Sequence, residues 1–218
     1  MRFGIDIGHN SPPDTGANGI KNEEDLTFDV GNRVMGKLKD LGHLVVYCKP
    51  AKSYSVGNSL RQRCAKANES KVDVFVSIHF NTFNGFANGS EVFSISETGK
   101  KISKSVLDEI IKMGFFNRGI KNGSHLFVLK NTNMPGILIE CCFIDSAKDM
   151  KLFNSESMAN AIVKGLTGKL SSTPVTWVPE ETSKPDEAVN RLQKTLNRLR
   201  MTDYTGKPLD EDNEIGPA

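Results

Sequence analysis

Cysteine is sparse in this chain, neither sign of charge is in excess, and no long apolar run interrupts it. Each scarcity excludes a class of protein. The four cysteines, Cys48, Cys64, Cys141 and Cys142, lack the density of a disulfide scaffold and the CxxC spacing of a zinc ribbon or redox motif, so buried free thiols are the expectation. With 28 basic and 26 acidic residues the formal charge is +2, too balanced for a surface that wraps nucleic-acid phosphates. No apolar segment approaches the roughly 20 residues needed to span a bilayer, and the N-terminus opens into a strand-like run rather than a signal peptide. The expectation is a soluble product made in the cytoplasm, with no membrane insertion. The glycine-bearing segment from Gly8 to Gly19 holds neither GxGxxG nor a Walker pattern, and Ser77 has no nucleophile-elbow glycines around it.

What is present is enough for one well-buried domain: 218 residues, 38% of them hydrophobic. Up to residue 170, strand-like and helix-like patterns alternate with short Gly and Asn turns, which predicts an α/β fold with a mostly parallel central sheet flanked by helices. Residues 3–7, 72–78 and 137–139 are β-rich apolar runs of the kind buried on both faces of such a sheet. Helical stripes run through Leu26, Val30, Val34, Leu38 and Leu41, through Leu60, Cys64 and Ala67, through Ile102, Val106, Ile110 and Met113, and through Met158, Ile162, Leu166 and Leu170. Residues 171–186 are rich in Ser, Thr, Pro and Glu without periodicity and read as a linker. Residues 187–218 begin another module, with Val189, Leu192, Leu196 and Leu199 at helical spacing. One amphipathic helix cannot close a core, so this segment reads as the incomplete start of a domain.

Polar residues follow each central strand: His9 after the first, His79 after the second and Glu140 after the third. Carboxyl ends of parallel strands share one edge, where ligands bind, so two imidazoles and a carboxylate should meet there. A hydrolytic zinc site has three protein ligands and an open position, which calls for one more donor. On the helical wheel Glu23 falls within the apolar arc of the first helix and Asp25 on its polar side. An inward carboxylate in a first helical turn is favoured by the helix dipole but costly to bury without a cation, and a metal supplies one. Glu24 is the fallback ligand. His43 reads as a turn residue, and His125 as a surface residue before the strand-like run 126–129, with a place beside the cleft as its other reading. Cys141 or Cys142 with His79 would make a cysteine hydrolase only if a helix dipole lowered the thiol pKa, and these cysteines follow a strand.

Taken together, the segments IDIGHN, NEEDLTFDV, VSIHFN and MPGILIECCFID, in that order across residues 1–170, resemble the zinc-dependent N-acetylmuramoyl-L-alanine amidases (type 3) of bacterial autolysins and phage endolysins. The resemblance implies one Zn2+ held by His9, Glu23 and His79, a catalytic Glu140, and a substrate-binding place for Asn81. It departs from the commonest pattern at Glu24, where a lysine is usual, and at Cys141 and Cys142, where small or apolar residues are usual. The segment AVNRLQKTLNRLR followed by TGKPLDEDNEIGPA resembles the beginning of a peptidoglycan-binding domain. The implied partner is peptidoglycan, and the implied role is a phage or prophage lysin that acts on the wall after release. Two other classes stay open at this point: a wall-binding module with an inactive site, and a zinc peptidase acting on another wall amide.

Overall fold

A computed structural model describes residues 1–170. The linker assigned to residues 171–186 and the module assigned to 187–218 lie outside the described residues.

Six strands and six helices follow one another along the described chain, alternating except at β3–β4 and α5–α6: β1 (Arg2–Ile7), α1 (Glu23–Asp40), β2 (Leu44–Tyr47), α2 (Val56–Glu69), β3 (Val74–Asn81), β4 (Ser90–Ser94), α3 (Glu97–Ile111), β5 (Asn117–Asn122), α4 (Phe127–Lys130), β6 (Gly136–Phe143), α5 (Ala147–Leu152) and α6 (Ser155–Thr167). The sheet order is β2-β1-β3-β6-β4-β5. All neighbours are parallel except β4 and β6, which run antiparallel. This is the single α/β domain with a mostly parallel sheet that the alternating pattern predicts.

The three apolar runs are the three central strands, and alternate residues on each serve two cores. Phe3, Ile5, Val76, Ile78, Ile137 and Ile139 face α1, α3 and α6, where Leu26, Val30, Val34, Leu38, Val106, Ile110 and Ile162 complete the larger core. Phe75 and Leu138 face α2 and α4, packing with Cys64, Ala67, Val128 and Leu129. Helix α1 starts where its sequence directs: the Asn22 side chain accepts from the Asp25 backbone N–H, and Glu23, Glu24 and Asp25 fill the first turn, as the helix dipole favours.

Four details differ from expectation. His79 and Glu140 lie inside β3 and β6 rather than beyond them, and Cys141 and Cys142 belong to β6 itself. A polar residue interrupts the apolar run without ending the strand: the ladder continues past it, and burial resumes at Phe80 in β3 and at Cys141 in β6. The run at 126–129 contributes to helix α4, since four apolar residues carry no period that separates strand from helix. Met113 lies past α3, and α6 stops at the left-handed Gly168 (φ 71°), leaving Leu170 exposed beyond it. Strands β4 and β5 went unread because SEVFS and NRGIKN alternate weakly and β5 is a half-exposed edge. Among the described residues no helix is long and apolar enough to cross a membrane.

Candidate metal centre

The parallel pairing of β3 with β6 sets His79 directly beside Glu140. Both sit in the same alternation as Phe75 and Leu138, on the α2 side of the sheet. His9 follows β1, which pairs with β3 on its other flank, and the Gly8 N–H donates to the Ile78 carbonyl to carry the chain to the same edge. Glu23 enters from the first turn of α1.

The side chains converge on Glu23. Its Oε1 lies 3.3 Å from His9 Nε2 and 3.2 Å from His79 Nδ1, and it accepts from the Phe80 N–H at 3.1 Å. Its Oε2 accepts from the Ala17 N–H at 2.9 Å. The two imidazoles meet edge to face, 4.8 Å between centroids. One donor atom from each of His9, Glu23 and His79 falls within 4.8 Å of the others, the span a single cation bridges. The backbone is cut to fit this cluster. A Cβ on Gly8 would stand 2.4 Å from the His79 ring, and one on Gly16 would stand 2.9 Å from Glu23 Cβ and 3.2 Å from His9 Cδ2. Two imidazoles and a carboxylate are the donor set of a catalytic zinc site, so donor chemistry and close-packed glycines both fit a metal.

Glu24, the fallback ligand, points elsewhere: its Oε1 accepts from the Asn10 N–H at 3.0 Å, outside the cluster. Asn81 donates from Nδ2 to Glu91 Oε1 at 3.0 Å. His43 packs on Phe3 at the turn after α1, and exposed His125 packs on Phe93, neither within the cluster. All four cysteines are free and buried. Burial pushes the Cys141 and Cys142 thiols well up, opposite to what a nucleophile requires.

Sequence reasoning missed the groups that hold the cluster in place. His9 Nδ1 meets Asp14 Oδ1 at 3.1 Å, Asp14 Oδ2 accepts from Ser59 Oγ at 2.5 Å, and Arg63 donates to Asp14 at 3.2 Å and to Asp6 at 2.6 Å. Arg63 also donates to the carbonyls of Ile7 and His9, and its side chain is 1% exposed. A carboxylate on the far nitrogen of a metal-binding imidazole fixes tautomer and ring orientation. One signal for this network is readable in sequence: Arg63 lies between Leu60 and Ala67 on the buried stripe of α2, where a cation must have a partner. Asp14, inside the glycine-rich loop, offers no such signal.

Electrostatics follow from this packing. Burial disfavours charge on His9, but the Asp14 and Glu23 carboxylates more than offset it and hold its pKa up at about 10. Burial likewise opposes charge on Asp14, yet His9, Ser59 and Arg63 bring it down to about 2. Glu23 is held well below the usual carboxylate range because the two imidazoles outweigh its burial. Glu140 goes the other way: burial first, then the carboxylates of Glu23 and Glu91, raise it well above its ordinary value. The residue keeps some exposure, but its Oε2 is sealed from solvent without a hydrogen-bond partner. A cavity of about 170 Å3 opens beside the two histidines, walled by Leu60, Leu126, Phe127, Val128 and Leu138.

The chain is similar to known proteins in sequence and in fold. A family model described as N-acetylmuramoyl-L-alanine amidase matches residues 4–171. The chain is 34% identical over 172 residues to the endolysin of Bacillus phage SPP1, covering 74% of this chain and 61% of that protein. It is 33% identical over 153 residues to the N-acetylmuramoyl-L-alanine amidase LytC of Bacillus subtilis, covering 66% of this chain and 30% of LytC. The solved catalytic domain of the CD27L endolysin targeting Clostridia difficile superposes with a TM-score of 0.72 at 26% identity, covering 78% of this chain and 98% of that domain. The catalytic domain of CwlV, an amidase from Bacillus (Paenibacillus) polymyxa, gives 0.68 at 28% identity, covering 77% and 97%.

Proposed function

Because the chain belongs to the N-acetylmuramoyl-L-alanine amidase family, we propose that it hydrolyses the amide joining N-acetylmuramic acid to the L-alanine of peptidoglycan stem peptides, using zinc held by His9, Glu23 and His79. The observation that carries the reading is the Glu23-centred cluster with the sealed, unpartnered oxygen of Glu140 on the adjacent strand. Zinc at such a site supplies a Lewis acid that polarises a carbonyl and acidifies water. Glu140 accepts the proton of the attacking water, a task suited to a carboxyl whose proton affinity is raised by burial. It then delivers that proton to the departing alanine nitrogen, so one carboxyl serves as base and then as acid. Asp14 keeps the His9 ring turned toward the cluster, and Asn81, which holds Glu91, flanks the substrate.

The catalytic role is assigned to residues 1–170, with residues 171–186 as linker and 187–218 as part of a wall-binding module. Similarity to the phage endolysin supports a lytic product of a phage or prophage that reaches the wall after release. The test is digestion of purified peptidoglycan with and without chelator, labelling new amino termini and assaying reducing sugars. New L-alanine termini without reducing ends, lost with chelator and restored by zinc, are expected. Free amino acids would mean a peptidase, and no new ends would leave a binding module.

A further inference from the structure

The antiparallel turn of β4 against β6 has an effect on the surface beside the cluster. The register Glu91↔Glu140 and Ser94↔Ile137 puts the start of β4 at the carboxyl end of β6, and Ser90↔Asn117 puts the start of β5 there too. The carboxyl end of β3 lies at the same edge, because β3 runs parallel to β6. The β3–β4 loop and the residue preceding β5 are thereby brought to the edge that carries His79 and Glu140. Three large aromatics are found in those positions: Phe83 (77% exposed), Phe86 (86%) and Phe116 (59%).

These are not the tips of a loose loop. Asp145, just past β6, accepts from the Phe83 and Gly85 N–H groups, and Asn84 Oδ1 accepts from Phe86 and Ala87. At the loop exit Gly89 donates to the buried Asp149, and Ser90 donates to the Phe116 carbonyl. Gly89 has a φ of 104°, and a Cβ there would stand 2.2 Å from the Phe116 oxygen, so loop exit and Phe116 are in close contact. Three exposed phenylalanines on hydrogen-bonded backbone are costly in water unless they meet a partner. The β3–β4 loop is uncharged and amide-bearing, with Asn84 between Phe83 and Phe86 in the chain and Thr82 and Asn88 flanking them.

Resting on the amidase reading, we infer that Phe83, Phe86 and Phe116 form a stacking strip for the sugar rings that continue the glycan strand beyond the scissile muramoyl unit. The apolar C–H face of a pyranose packs on an aromatic ring, while amide side chains suit its hydroxyl and acetamido groups. An uncharged loop matches an uncharged polysaccharide; of the cations beside it, Lys148 is bound to Asn88 and Arg118 is paired with Glu91, whereas an anionic lipid surface would call for a cluster of lysine or arginine.

The test uses the full chain and two substrates: a glycan polymer bearing stem peptides, and a single-sugar muramoyl peptide. Phe83→Ala combined with Phe86→Ala should lower kcat/KM on the polymer about tenfold, which is about 1.4 kcal/mol, while leaving the single-sugar substrate within about twofold. An unchanged rate on the polymer, or equal losses on both substrates, would overturn the strip. In a second measurement, Phe86→Trp is titrated with neutral oligomers of N-acetylglucosamine, and its emission is read against the parent chain, which carries Trp177 alone. A change in the added indole supports the strip, and none overturns it. That readout needs no hydrolysis, so it stands apart from any failure of the amidase reading, which is scored by L-alanine termini.

Discussion

The two histidines of the cluster come from opposite kinds of backbone. His79 lies inside β3, opposite Glu140 of β6 and one residue past the last β1 pair at Ile78, so strand pairing fixes where its Cα stands. His9 lies in the loop after β1, where it and Asn10 adopt left-handed φ values of 57° and 59°. Such backbone costs of order 1–3 kcal/mol per residue and persists only when its surroundings enforce it. The enforcement is visible: Arg63 binds the Ile7 and His9 carbonyls and the Asp6 and Asp14 carboxylates, Asp14 holds the ring, and Asn10 ties itself to Gly8, Glu24 and Thr27. A strand positions a ligand by regular pairing, while a loop needs a dedicated buried network.

The largest effect should come from the strand side. His79→Ala is expected to abolish both zinc content, by metal analysis after dialysis, and release of L-alanine termini. Glu140→Gln should keep its zinc while turnover falls about 10²–10⁴-fold, and retained turnover would remove Glu140 from the mechanism. On the loop side, Arg63→Met strands two buried carboxylates. Removing one partner of a buried ion pair costs about 3–5 kcal/mol, so melting should drop by roughly 10 °C. A melting point within a degree or two of the parent would show that the loop does not depend on Arg63. Asp14→Asn keeps the side-chain shape but weakens the acceptor for His9, and zinc affinity by competition with a chromophoric chelator should fall about 10–100-fold. Equal affinity would mean that the His9 ring is held by Glu23 alone.

The smallest expected effect lies far from the cluster. Glu156 accepts from the buried Lys37 Nζ at 2.5 Å and from Arg33 at 2.8 Å. Burial alone would raise the Glu156 pKa, but these two cations lower it. Its contribution to stability is therefore complete above the ordinary glutamate range and is lost as pH falls through the lowered folded value. With a third of the Glu156 side chain in solvent, screening keeps that contribution to about 0.5–1 kcal/mol. Melting curves of the parent and Glu156→Gln should differ at neutral pH and converge in acid. A difference that grew toward low pH would contradict this sign.

The legible parts of the molecule were those with strong local patterns. The arc through Leu26 to Leu41 predicted the buried face of α1 and, from the same wheel, the inward turn of Glu23, which is 3% exposed. The three continuous apolar runs marked β1, β3 and β6. Glu91 shows what was not legible. It is 6% exposed, paired with Arg118 and set across from Glu140, yet it belongs to a strand too mixed to identify. The end of β3 was missed for a related reason, since composition changes at His79 while pairing with β6 resumes, one residue shifted, at Asn81.

By itself the sequence determined which faces are apolar, which helix turns a carboxylate inward and which polar residues interrupt the central runs. All of these follow from a period of two or 3.6 residues and need only near neighbours. Tertiary structure alone decided that β4 runs backward against β6, that the left-handed loop at His9 is held by an arginine from α2, and that Phe83, Phe86 and Phe116 share an edge with the cluster. Those depend on pairings between segments tens of residues apart, whose direction and register no local periodicity encodes.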